Sequence, residues 1–421
     1  MGLTLGRLLP GAVICERAPF IGGSARSLQR QGVHVDLGLH VLGRPDPGIA
    51  NFLRSILGED LVELPYPRQR LIVHEDGLTW NLPLHPRHFP WLPDPIRATR
   101  IRLNHYFRRL FPIRPVRTYR DLLINASGDI YYHLFREKAL TKSLGVPPDQ
   151  LFVIPTRSRG KGSERLRRHI LRRLRRIGER TDTFFYPRPS FGALVDKLAE
   201  GLDIRCDTEI TGIQFERKRI VALEIRGAGT VPCDALILAT PGHLALPLFE
   251  APDDVCRSAR AIRYRDLIYV VLSFEADHVL EQGYGSAVGQ EIFGAFCEPK
   301  HFVPDSCPPG QTWVGFYISC FRADPIWRSP DEEIMRRVLD DFRRYYPDVT
   351  PSAGTVLRIP RFALVLDREL EVHLRTVHGY LSSFENLHLP DYLLPLRGDR
   401  TYAAIEEAFR IAEEINSPSA G

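Results

Sequence analysis

One stretch limits what this chain can fold into more than any other: Cys15-Glu16-Arg17-Ala18-Pro19-Phe20-Ile21-Gly22-Gly23-Ser24-Ala25-Arg26-Ser27, followed by Val35-Asp36-Leu37-Gly38-Leu39-His40. The short apolar run Ala12-Val13-Ile14-Cys15 reads as a strand, and Glu16 puts a carboxylate at its tip. Gly22 and Gly23 follow, a corner where a side chain would block the approach of a phosphate or a planar ring to the backbone. Arg26 adds a fixed positive charge beside that corner.

A dinucleotide fold needs these parts in this order. A hydrophobic strand leads into a Gly-x-Gly-x-x-Gly turn, and the turn opens a helix whose N-terminal amides face the pyrophosphate. A second strand then ends in an acid that accepts the adenosine ribose hydroxyls. Gly2-Leu3-Thr4-Leu5-Gly6-Arg7-Leu8-Leu9 reads as the third glycine with its helix, Ala12–Cys15 as the second strand and Glu16 as the ribose acid. On this reading the sequence starts inside the motif, without the opening strand and the first two glycines.

The linked set of Glu16, Gly22-Gly23, Arg26 and Asp36-x-Gly38-x-His40 resembles the flavin amine oxidase superfamily. The nearest branch is that of protoporphyrinogen oxidases, phytoene desaturases and UDP-galactopyranose mutases. Two later blocks extend the resemblance. Phe184-Phe185-Tyr186-Pro187 with Phe191-Gly192-Ala193-Leu194 resembles the family's Tyr-Pro-x-Gly-Gly-x-x-x-Leu segment, and Cys233–Pro241, apolar and ending in Ala-Thr-Pro, resembles a parallel strand returning to the cofactor domain.

The resemblance implies an α/β fold, a discontinuous Rossmann-type FAD-binding domain with an inserted α+β substrate domain. The FAD domain is expected from residues 1–70, 182–247 and 370–421, and the substrate domain from 71–181 and 248–369. The implied cofactor is FAD, contacted by Gly2, Glu16, Gly22, Gly23, Arg26, Gly38, the backbone of Ile210, and Asp391. The implied reaction oxidises or desaturates a small organic substrate by hydride transfer to flavin, with His40 near the flavin ring as a proton-handling or flavin-tuning group. Two alternatives stay open: a sugar-nucleotide mutase without net redox, and a silent scaffold with a degraded FAD site.

The C-terminal block departs from the family. Asn386-Leu387-His388-Leu389-Pro390-Asp391 keeps the register of Asn-Leu-x-Leu-Ala-Gly-Asp, but Pro390 removes an amide donor and Glu407 stands where a glycine is usual. A carboxylate facing a pyrophosphate would repel it unless turned away.

Composition sets the outer limits. The 421 residues are 44% hydrophobic and 25% charged, enough for two lobes with their own cores. No run has the apolar length of a membrane span or the form of a signal peptide, which gives the expectation of a soluble, cytoplasmic protein. Seven scattered cysteines without a Cys-x-x-Cys pair indicate neither a disulfide framework nor a zinc site, and no metal-ligand cluster stands out. The net charge of +5 does not by itself point to nucleic acid. Within 164–180, Leu166, Ile170, Leu174 and Ile177 recur at helical spacing with Arg165, Arg167, Arg168, Arg172, Arg173, Arg175 and Arg176 around them. That segment reads either as a solvated helix over the core or as a peripheral contact with an anionic membrane or a phosphorylated substrate. Tyr186, Tyr264, Tyr317 and Trp313 read as core or as the wall of a substrate chamber, and His243 as a poor catalytic choice.

Overall fold

Strands with alternating apolar residues assemble the largest element, a seven-stranded sheet in the order Ala353–Leu364, Tyr264–Phe274, Thr312–Cys320, Ala295–Cys297, Tyr284–Ala287, Gln69–Val73 and Leu78–Leu82. The structure is a computed structural model that describes residues 1–30, 33–38, 40, 42–43, 46–65, 69–73, 78–82, 95–113, 115–151, 183–394 and 400–417. All neighbouring strands in the sheet run antiparallel except Tyr284–Ala287 and Gln69–Val73. Gln69–Val73 and Leu78–Leu82 pair with each other and join the rest of the sheet through that parallel contact. Tyr264–Phe274 has a partner on each side and is buried along nearly its whole length.

Side chains alternate between the two faces. Ile268, Val270, Val314, Phe316 and Ile318 meet Ile334, Val338 and Phe342 of the helix Asp331–Arg343. Asp331, Glu332 and Glu333 fill the first turn of that helix, where carboxylates suit the helix dipole. From the other face Leu267, Tyr269, Val271 and Trp313 pack on Val33 and Val35 of the hairpin Ser27–Arg30/Val33–Asp36.

The second part of the fold is α/β and built from short parallel pairs. Val13–Cys15 runs parallel to Asp203–Arg205, and Leu236–Ile237 parallel to Leu387–His388. Both pairs rest on one helical layer. Leu5 and Leu9 from the first helix and its end interlock with Ala408, Ile411 and Ala412 of Arg400–Asn416, and Ala12 and Ile237 touch the same cluster. The strand expected across Cys233–Pro241 is ladder-paired only at Leu236–Ile237, and Asn386 Nδ2 ties its start to the neighbouring strand by donating to the carbonyls of Asp234 and Ile220. A three-stranded antiparallel sheet of Ile210–Glu216, Arg219–Ile225 and Gly229–Pro232 stands alongside.

The basic segment at 164–180 lies outside the described residues. Among the described residues, no helix is long and apolar enough to cross a membrane.

Candidate cofactor site

Parallel strands open their C-terminal ends on one side, and that side is where an α/β sheet receives its ligand. Here Val13–Cys15 runs into Glu16, Leu236–Ile237 into Leu238-Ala239-Thr240-Pro241, and Leu387–His388 into Leu389-Pro390-Asp391. The first helix begins at the same place: a Cβ on Gly2 would stand 3.4 Å from the Ala239 Cβ. A cleft with a cavity volume of about 110 Å³ opens there, lined among others by Met1, Ala239, Thr240, Gly242, His243 and Asp391.

Glu16 is half-buried at the rim. Its amide donates to the Arg205 carbonyl at 2.9 Å and its carbonyl accepts from Thr208 at 2.9 Å, so the strand tip is fixed from both sides. The Glu16 carboxylate accepts from the Ala18 amide at 2.8 Å, which aims it back across the turn. Ile210, two residues beyond Thr208, begins the next strand, so that strand starts just after the segment hydrogen-bonded to Glu16.

At the glycine corner the physical reason differs from the sequence expectation. Gly22 has φ +93°, and a Cβ there would meet Val195 of the helix Phe191–Ala199 at 2.7 Å. The close approach that forbids a side chain at Gly22 is therefore made by the protein's own helix. Gly23 faces open space instead. Arg26 lays its guanidinium over the Phe20 ring, 3.6 Å from the centroid, and burial lowers its pKa.

Asp36 acts as an internal brace. Its carboxylate accepts from Ser27 Oγ at 2.5 Å, from the Tyr186 hydroxyl at 2.5 Å and from the Phe191 amide at 3.1 Å, tying the hairpin to the start of a helix far along the chain. Burial pushes its pKa up, against the pull of those donors. Two residues on, Gly38 has φ +123°, and the space a Cβ would enter is bordered by Tyr317 at 3.8 Å and His40 Nε2 at 3.9 Å. His40 is half-buried with its ring 5.2 Å from Phe191. It therefore sits at the seam between the crevice side and the large sheet. Beneath the seam the Tyr317 hydroxyl lies 3.4 Å from Cys297 Sγ, and burial pushes that thiol up to about 11.

Of the four aromatic candidates, Tyr186 and Trp313 are core residues, 3% and 1% exposed. Tyr317 and Tyr264 are half-buried. Tyr264 leads to a residue the sequence reading set aside: its hydroxyl is 2.7 Å from Nε2 of His243, which lines the cleft. Burial, aided by Arg361, lowers the His243 pKa to about 4, so the ring is neutral at physiological pH. Its signal in sequence was its place, directly after a parallel strand and its Thr-Pro-Gly turn.

The C-terminal block also corrects an expectation. Glu407 is 4% exposed and turned inward. Its Oε2 accepts from the Asp391 amide at 3.0 Å and from Arg410 Nε at 2.9 Å, while Arg410 Nη2 donates to the Leu389 carbonyl at 2.8 Å. The feared repulsion is absent because the charge is paired, and the Asp391 N–H is committed to Glu407. Asp391 still lines the cleft.

A dinucleotide at the crevice would meet the small residues Ala239, Thr240 and Gly242 beside the bulkier Met1 and Tyr392, with an acid at the tip of the neighbouring strand Val13–Cys15. The structure brings Asp391 to the cleft with Gly2 against its Ala239 wall, and Gly38 and His40 to the seam; Glu16 and Ile210 are not among the residues that line the cleft, Gly22 and Arg26 pack on the protein itself, and Gly23 faces open space.

The family model described as flavin containing amine oxidoreductase matches residues 2–360. No curated protein matches the sequence. Among solved structures, a candidate protoporphyrinogen oxidase from Exiguobacterium sp. 255-15 is 16% identical with a TM-score of 0.76, covering 98% of this chain and 95% of that one. Reduced UDP-galactopyranose mutase is 14% identical with a TM-score of 0.78 over 99% and 93% of the two chains. Putrescine oxidase bound to putrescine is 14% identical with a TM-score of 0.64 over 98% and 96%. At these identities the likeness is one of fold.

Proposed function

The chain belongs to the flavin-containing amine oxidoreductase family and is an FAD-dependent oxidoreductase; from that premise we propose that it oxidises or desaturates a small, largely apolar organic substrate such as an amine, a tetrapyrrole or a polyene. When bound, FAD supplies the hydride acceptor. The observation that carries this reading is the seam at Gly38, a buried glycine at φ +123° bordered by His40 and Tyr317 between the crevice and the large sheet.

Each group has a task there. Glu16 accepts the adenosine ribose hydroxyls at the crevice rim. His40 takes or returns the proton released when a substrate C–H bond gives up its hydride, a task suited to an imidazole near neutral pH. Tyr317 and the buried Tyr269, with ring centroids 4.9 Å apart, keep the wall apolar and exclude water.

The test is anaerobic mixing of the purified yellow protein with a panel of amines, tetrapyrroles and polyenes. Bleaching of the flavin by one class, followed by oxygen consumption in air, supports oxidation. Turnover of a sugar nucleotide only after dithionite reduction, with no bleaching by any member of the panel, overturns it.

A further inference from the structure

We propose that His278, Glu298 and His301 form a binding site for a zinc-class divalent metal ion, separate from the residues that line the cofactor cleft. His278 lies in the loop after the strand Tyr264–Phe274, and Glu298 and His301 in the turn after Ala295–Cys297. One ligand atom from each residue lies within 4.8 Å of the other two.

The carboxylate is the fixed point. Glu298 is wholly buried. Its Oε1 accepts from the Val279 amide at 3.0 Å and from Thr312 Oγ1 at 2.7 Å, and its Oε2 accepts from the Leu280 amide at 2.7 Å. Such outer donors orient a ligating carboxylate and raise the cost of turning it away. Lys300 does not neutralise it, since its Nζ donates to Asp277 and to the carbonyls of Pro308 and Gln311.

Two imidazole nitrogens face this anchor. His278 Nδ1 is 3.4 Å from Oε1 and His301 Nε2 is 3.3 Å from Oε2. Each imidazole faces a different oxygen of the carboxylate. A tetrahedral ion with bonds of about 2.0–2.1 Å separates its ligand atoms by about 3.3–3.4 Å, so binding draws both imidazoles toward one of those oxygens. The rings are tilted by 33° with centroids 4.2 Å apart, and His278 is the more exposed of the two. Because His278 is 44% exposed, the fourth position opens to water.

His301 Nε2 also stands 2.7 Å from the Leu280 carbonyl, to which it donates when no metal is present. Metal binding needs its proton on Nδ1 instead, and the ion takes the place of that hydrogen bond. Two imidazoles and one carboxylate suit zinc, cobalt or nickel; calcium and magnesium prefer oxygen alone. An ion there would clamp the two loops together at one edge of the large sheet's strands.

The full-length flavoprotein, stripped with a chelator, is dialysed against micromolar Zn2+ and its bound zinc and thermal midpoint are measured for wild type, His278→Ala and His301→Gln. The expected result is one more zinc per chain in wild type than in His278→Ala, affinity weaker by about tenfold or more in each variant, and a zinc-dependent rise of the midpoint in wild type alone. Half-exposed His278 carries no hydrogen bond that the fold depends on, which keeps that variant informative if His301→Gln fails to fold. Equal zinc content and equal midpoint shifts in wild type and His278→Ala overturn the site, as does the absence of saturable zinc binding by wild type.

Discussion

The large sheet and the crevice side are held by different forces. In the sheet, long strands pair on both sides and bury aromatic rings against each other, with Phe316 packed 5.0 Å from both Phe293 and Phe342. On the crevice side the parallel strands are two or three residues long, Val13 is 47% exposed, and much of the holding is done by single polar side chains that reach across the chain, namely Asp36, Asn386, Glu407 and Arg7. The first region is stable through its own pairing. The second has short ladders and open backbone at the place where a ligand adds contacts, and regions of low local stability are where binding commonly occurs.

Phe316→Ala should break the contrast hardest, because it opens a cavity in the self-supporting region. The expected loss is about 3–5 kcal/mol in denaturant unfolding, with added FAD giving no selective recovery. Acidification acts on the other side. His243 is held neutral with a pKa near 4, below its ordinary 6.5. Between those values the unfolded chain binds a proton that the folded chain does not, so stability is full above about pH 6.5 and falls as pH drops toward 4, by about 3 kcal/mol at most. His243→Gln should flatten that part of the stability–pH curve, and an unchanged curve would remove His243 as its source.

FAD at a hundredfold excess over its Kd should stabilise by about 2.7 kcal/mol. Hydrogen exchange should place the slowing at Val13–Cys15 and Leu236–Leu238 and not at Ile268–Val270; uniform slowing would erase the distinction between the two regions. Glu407→Ala removes the acceptor of the Asp391 amide and of Arg410 Nε, for a loss of about 2 kcal/mol in the same unfolding assay. Arg26→Ala removes the stack on Phe20 and should cost under about 1 kcal/mol. If it also weakens FAD by more than about tenfold, the arginine grips the cofactor as well as the ring.

Much of this was legible along the chain. The acid at the tip of Val13–Cys15, the helix after Gly2 and the long strands at 264–274 and 312–320 follow from local patterns, since apolar period and strand-end chemistry involve neighbouring residues. Which way Glu407 turns could not be read for the opposite reason: its partners are the Asp391 amide and Arg410, and the position of a backbone N–H sixteen residues away is not written in the sequence. Gly22 was read correctly as a place that excludes a side chain, yet the occupant is Val195. His243 and the trio His278, Glu298 and His301 gave no recognisable spacing, because loops and sheet register bring them together.

By itself, then, the sequence determined the fold class, the rim acid and the family, because those rest on periodicity and on residue types at fixed short distances. The tertiary structure alone decided which charges are neutralised, which glycine packs on the protein and which faces open space, and which histidine is kept neutral. Burial and pairing set those outcomes, and both depend on atoms brought near by packing that no local stretch of chain specifies.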